Sequence, residues 1–143
     1  MSLLDKYEAF KDFLNSKGIR YKEETLERGD KFFRIPQRLS NEKIIEILVI
    51  FSEQNIKILI LGIAKIESEE KKIACYKLFN ECALQYSFFK FYIRENGDVN
   101  AEGDATLSVV KGEFQPRVLM EFAATGLDLV QDVYEEINKI QQA

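Results

Sequence analysis

Apolar residues recur at a helical period of about 3.6 in three stretches of the chain and follow strand-like patterns between them. Leu3, Tyr7, Phe10 and Leu14, flanked by Leu4 and Phe13, predict a first helix. It starts after Ser2, where Asp5 makes an acidic form of the capping box, and ends at Gly18. Arg20 to Leu26 and Lys31 to Gln37 read as short extended segments around the turn-like Glu27-Arg28-Gly29-Asp30, with Pro36 placing the second near a strand end or a sheet edge. Ile44 to Ser52 and Ile56 to Ile66 are β-branched runs on either side of Glu53-Gln54-Asn55, the pattern of a long antiparallel hairpin. Ser68 caps a second helix over about Glu69 to Tyr86, whose first-turn acids Glu69 and Glu70 suit the helix dipole. Phe88 to Arg94 and Asp98 to Val110 flank Asn96-Gly97, a strong hairpin signal. The last helix starts near Pro116, after a break at Gly112, and carries Leu119, Phe122, Leu129, Val130, Val133, Tyr134, Ile137 and Ile140. Gly126 in its middle marks close packing or a bend.

Together these elements predict an α+β fold, an antiparallel sheet of five or six strands with three helices in the order α-β-β-β-β-α-β-β-α. Alternation puts Ile56, Ile58, Ile60, Ala64 and Ile66 on one face of the sheet and Leu59, Leu61 and Ile63 on the other. The preceding strand divides likewise, with Ile45, Ile47, Val49 and Phe51 on one side and Ile44, Leu48 and Ile50, with Glu46, on the other. Both faces are apolar, so both need cover. If the helices take the Ile56/Ile58/Ile60 face, then Ile44, Leu48, Ile50, Leu59, Leu61 and Ile63 form a patch bounded by Glu46, Lys57 and Lys65. Patches of that kind mark protein interfaces. The competing expectation is that the first helix wraps onto the second face and buries it within the chain.

Composition narrows the function more than the fold. At 143 residues and 46% hydrophobic content the chain is expected to form one soluble domain, residues 1–143, that needs no disulfide or metal to hold its core. There is no His, which excludes triads, zinc sites and acid–base schemes that need an imidazole. The first residues carry Asp5, Lys6 and Glu8 where a signal peptide needs an apolar run, and Ile56 to Ile66 is broken by Lys57 and Lys65 and falls short of the roughly 20 residues of a membrane helix. The expected location is the cytoplasm, where Cys75 and Cys82, about 10 Å apart along one helix, remain free thiols.

Lys and Arg number 20 against 24 Asp and Glu. From Glu113 onward six acids meet two bases, so the whole excess of −4 belongs to the last helix and residues 1–112 are balanced. Arg20, Lys22, Arg34 and Arg38 could gather beside Tyr21, Phe32 and Phe33 as in some single-strand binders, but Glu23, Glu24 and Glu27 dilute the field, and nucleic acid is disfavoured. Asp98-x-Asn100-x-Glu102-Gly103 copies the opening of a calcium loop, yet its twelfth position is Val109 where a bidentate Glu is required. The glycines are dispersed without a phosphate-cradling pattern, and the adjacent carboxylates Glu23/Glu24 and Glu69/Glu70 read as solvated charge. No catalytic residue, metal ligand or cofactor site is expected.

The run from Leu78-Phe79-Asn80-Glu81-Cys82 through Phe89-Lys90-Phe91-Tyr92-Ile93 to Glu95-Asn96-Gly97-Asp98-Val99 resembles the YbjN family. In that family a helix carrying an Asn is followed by a strand, a turn with Gly, a second strand and a long C-terminal helix. The element order from Leu3 to Ile140 also resembles the type III secretion chaperone-like fold, departing from it by four strands before the second helix where the chaperones have three. The resemblance implies a regulatory or chaperone-like binding domain, with no catalytic residues to carry over. The expectation is therefore a non-enzymatic protein-binding domain, a homodimer or the holder of a protein partner, acting through its apolar sheet face or edge. The alternative is a small-molecule sensor or enzyme with a cavity between sheet and helices.

Overall fold

The computed structural model describes residues 1–105 and 114–143, apart from the side chain of Asn41. Helix α1 (Leu3–Ser16) opens with the expected capping box: Ser2 Oγ accepts from the Asp5 amide and Asp5 accepts from the Ser2 amide, both at 3.1 Å. Two of the orphan N–H groups at the helix start are thereby satisfied. Strands β1 (Lys22–Thr25), β2 (Lys31–Arg38), β3 (Ile44–Phe51) and β4 (Ile56–Lys65) follow, with a 3₁₀ turn at Ser40–Glu42. Then come α2 (Glu69–Gln85), capped by Ser68, β5 (Phe89–Ile93), β6 (Asp98–Asp104) and the long α3 (Pro116–Gln142). The six strands form one antiparallel sheet in the order β1-β2-β3-β4-β6-β5.

The three helices among the described residues lie on one face. Tyr7, Phe10 and Leu14 of α1, Cys75 and Phe79 of α2, and Leu119, Val130, Val133 and Ile137 of α3 share a single core with Phe33, Ile47, Val49, Phe51, Ile58, Ile60 and Ala101 from the sheet. The first helix therefore packs beside α3 instead of wrapping to the second face. The predicted element order is found in full, with ends that move by a residue or two. Strand β6 is described to Asp104; the rest of the expected strand, Thr106 to Val110, and the break at Gly112 lie outside the described residues.

Gly126 marks close packing. A Cβ there would collide with the ring of Phe89, which reaches up from β5 and also lies against Gly103, its cross-strand partner. The ring is 2% exposed and stacks on Phe122 at 5.2 Å. One bulky side chain thus occupies the room left by two glycines, and this contact fixes the depth at which α3 seats on the sheet.

One strand departs from simple alternation. Ile60 pairs with Ala101 and Ala64 with Val99, so Leu61, Gly62 and Ile63 stand opposite Asn100 alone. Gly62 takes φ +76°, a left-handed conformation that costs a side-chain-bearing residue about 1–2 kcal/mol. The bulge corrects the expected placement of Ile63: it does not share the Leu59/Leu61 face but is fully buried in the helix-side core.

Candidate functional site

The other face, on which no described helix lies, carries its own apolar cluster. Phe32, Leu48 and Ile50 form its centre, with Leu26, Leu59 and Leu61 packed around them. Register aligns these side chains in rows across the strands. Glu24, Phe32, Ile50, Lys57 and Asp104 make one row; Lys22, Arg34, Leu48, Leu59, Glu102 and Lys90 make the next; Pro36, Glu46 and Leu61 make a third. The apolar residues occupy the middle strands and the charges the flanks. Leu26 joins from the β1–β2 turn, which is closed by the Leu26 amide on Asp30 O and the Gly29 amide on Leu26 O, both at 2.8 Å.

On the β1 side the charges are tied into a network. The Arg34 guanidinium holds Glu24 through two bonds, Nε to Oε1 at 3.1 Å and Nη2 to Oε2 at 3.0 Å, and reaches Glu46 Oε2 from Nη1 at 3.1 Å. Its plane lies over the Phe32 ring, 5.7 Å from the centroid. The fork geometry of Arg suits such bidentate recognition, and it holds the Glu24 carboxyl below the usual carboxylate range. On the β6 side Lys57 Nζ meets Glu102 Oε1 at 3.2 Å. Of the cations that could gather on the first hairpin, Lys22 neighbours Arg34, and Arg34 is shared between two carboxylates, one of them the expected diluting acid Glu24.

The residues expected to form a surface patch divide into four groups. Ile44, opposite Arg38 at the start of β3, is 59% exposed. Leu59 and Leu61 are half-buried, while Leu48 and Ile50 retain 6% exposure each and belong to the chain's own packing. Ile63 lies on the opposite face, as described. Phe32, Leu26 and Arg34 belong to this surface and were not assigned to it from the sequence. Alternation on β2 carried the signal for Phe32 and Arg34, but the partner strand and register needed to use it are not local properties. Asn100 likewise sits in a wet position of the sequence pattern, yet it is 3% exposed and its Oδ1 accepts from the Gly62 amide at 3.2 Å, bracing the bulge.

A separate cleft of about 760 Å³ lies at the end of the sheet. Its walls are the start of α1 (Leu3, Tyr7), the β1–β2 turn (Arg28, Asp30) with Lys31 at the start of β2, and the β3–β4 turn (Glu53, Asn55). In its wall Tyr7 donates to Glu23 Oε1 at 2.8 Å, and Lys31 lies 5.5 Å from the centre of the Tyr7 ring. Burial and the neighbouring carboxylate push the Tyr7 hydroxyl above its ordinary range, while the same bond holds Glu23 below its own. The cysteines are not among the residues that line this cleft: Cys75 is buried and Cys82 half-buried on α2, both free, and burial raises both thiols. Among the described residues no cluster of His, Cys, Asp and Glu is placed to hold a metal ion, and no helix is long and apolar enough to cross a membrane.

A profile of the YbjN family, described as "Putative bacterial sensory transduction regulator", matches residues 7–139. A comparison with curated proteins returns no match. With nearly its whole length matched, the chain belongs to the YbjN family.

Proposed function

We propose that this YbjN-family chain is a non-enzymatic regulatory domain that works by binding a protein segment across the helix-free face of its sheet. The observation that carries this reading is the second apolar cluster, Phe32, Leu48 and Ile50 edged by Leu26, Leu59 and Leu61 and framed by paired charges. The buried centre makes the platform rigid. The half-buried Leu59 and Leu61 supply the area a partner would remove from water, at about 25 cal/mol per Å² of apolar surface. Arg34, Glu46, Lys57 and Glu102 would orient a partner of complementary charge, since rim charges govern specificity and association rate more than affinity. The carboxylates Glu24, Glu46 and Glu102 are each engaged by a cation, which suits recognition better than proton transfer.

The test is a pull-down from a bacterial lysate with the intact chain, compared with Leu61→Glu and with the rim variant Glu46→Arg. A partner retained by the wild type and lost from both variants, at unchanged melting temperature, is the expected result. Identical capture by all three would remove the sheet face from the function.

A second reading rests on the cleft beside Tyr7, whose volume falls within the roughly 300–1,000 Å³ of small-ligand pockets. It predicts ligand-dependent stabilisation that grows as RT ln(1 + [L]/Kd) and is lost in Tyr7→Phe or Lys31→Glu.

A further inference from the structure

The two edges of the sheet are built differently. The β1 edge is Lys22-Glu23-Glu24-Thr25, short and charged, the composition that discourages further pairing. The β5 edge is Phe89-Lys90-Phe91-Tyr92-Ile93, with one charge. The Arg94 amide donates to Asp98 O at 2.8 Å, so Arg94, Tyr92 and Lys90 direct their backbone groups toward β6. Phe89, Phe91 and Ile93 therefore point N–H and C=O outward along the open edge.

Directly above this edge, α2 carries apolar residues on two sides. Cys75 and Phe79 enter the core, and Lys71 Nζ donates to Gln141 O on α3, which fixes the inner flank. Turning about 100° per residue, Ile73, Tyr76, Asn80 and Leu84 fall on the flank away from α3. Ile73 is 60% exposed, Tyr76 52% and Leu84 81%, most of the large apolar exposure among the described residues that lies outside the chain start and Ile44. The helix thus carries apolar residues on two sides, only one of which is covered by the described residues.

We propose that α2 and β5 together form the contact surface for a second copy of the chain, related by a two-fold axis perpendicular to the sheet. Centring the axis on Phe91 pairs Phe91 with its own copy and Phe89 with Ile93 of the copy, so each outward N–H meets an outward C=O. Lys90 then faces Tyr92 of the copy, an aromatic partner for a cation, whereas registers centred on Lys90 or Tyr92 would set Lys90 against Lys90 or Arg94. The same axis serves the helices. Phe79 stacks on Phe91 at 5.6 Å, which brings Asn80, the next residue of α2, beside the axis. Antiparallel copies of α2 crossing at Asn80 place Tyr76 against Leu84 of the copy on both sides of it, with a pair of amide side chains able to bond each other at the centre. A single added strand from another protein would complete β5 and leave Ile73, Tyr76 and Leu84 in water. A second copy covers both features at once, and contacts of this closed, self-complementary kind are the commonest in soluble oligomers.

Light scattering coupled to size exclusion on the full chain tests the assignment. The expected mass is twice the 16.6 kDa of one chain, falling to one chain in the double variant Tyr76→Glu/Leu84→Glu, whose side chains are exposed in the monomer and whose melting profile in dilute solution should match. Asn80→Cys in a Cys82→Ser background should give a covalent dimer under mild oxidation, and Lys57→Cys in that background should not. A single-chain mass for the wild type overturns the proposal, and so does a doubled mass that survives the double variant. Leu61→Glu should keep the doubled mass, so loss of the sheet-face function and loss of this contact are separable.

Discussion

Gly126→Ala sets two physical effects against each other at one position. In an exposed helix the change would stabilise by about 1 kcal/mol, because Gly pays more backbone entropy than Ala. Here the new Cβ enters space held by the Phe89 ring. That ring has little room to swing aside: it is 2% exposed, stacks on Phe122 at 5.2 Å, meets Phe88 edge-on at 5.7 Å, and lies so close to Gly103 that a Cβ there would also collide with it. Either the ring leaves its stacked position or α3 lifts from β5. Overpacking of this sort costs about 1–3 kcal/mol, and a contact hemmed in on every side belongs at the upper end. Net of the propensity gain, Gly126→Ala should destabilise by about 2 kcal/mol, a fall in melting temperature of about 6–8 °C for a chain of this size. Urea unfolding of the two proteins measures the difference directly. The decisive comparison is the double-mutant cycle with Phe89→Leu, whose shorter side chain frees the space: Gly126→Ala should cost at least about 1 kcal/mol less in that background. An increase in stability on Gly126→Ala, or a cost unchanged by Phe89→Leu, would refute the packing argument.

Further outcomes follow from the bulge and from the Tyr7–Glu23 pair. Ile63→Ala should cost about 2–5 kcal/mol as a core truncation, while Leu61→Ala, two residues away on the other face and half-buried, should cost about 1 kcal/mol; equal costs in chemical unfolding would contradict the bulge-determined facing. Glu23 is held below its ordinary value of 4.5 first by the Tyr7 hydroxyl and then by Lys11, so its contribution to stability is complete above pH 4.5 and is lost as pH falls below it. Tyr7 is raised above 10.0, so its contribution is complete below pH 10 and is lost as pH rises beyond that. Tyr7→Phe should flatten both limbs of the stability–pH curve, and an unchanged acid limb would show that the hydrogen bond does not persist in solution.

Most of the fold was legible in the chain because its signals are local. Ser2 with Asp5, Ser68 with the acids after it, Asn96-Gly97, Pro116 and the β-branched runs each act within a few residues, and each sits in the structure where its chemistry predicts. The site was legible only in part. Alternation correctly separates Leu59 and Leu61 from Ile58 and Ile60, since the pleat is a local property. It fails at Ile63 because Gly62 lets the strand carry extra residues opposite Asn100, which lies in a strand separated from it by a helix and another strand.

By itself, then, the sequence determined the identity and order of the elements, the family, and the absence of any imidazole chemistry. Tertiary structure alone decided that the three described helices share one face of the sheet, that Leu48 and Ile50 are packed within the chain while Leu59 and Leu61 remain partly open, and that the apolar flank of α2 stands beside the β5 edge with its single charge. The physical reason is range. Capping, turn chemistry and side-chain period are set by bonds between neighbours, whereas burial of a face depends on which distant segment comes to rest on it, a choice made by the summed packing of the whole domain.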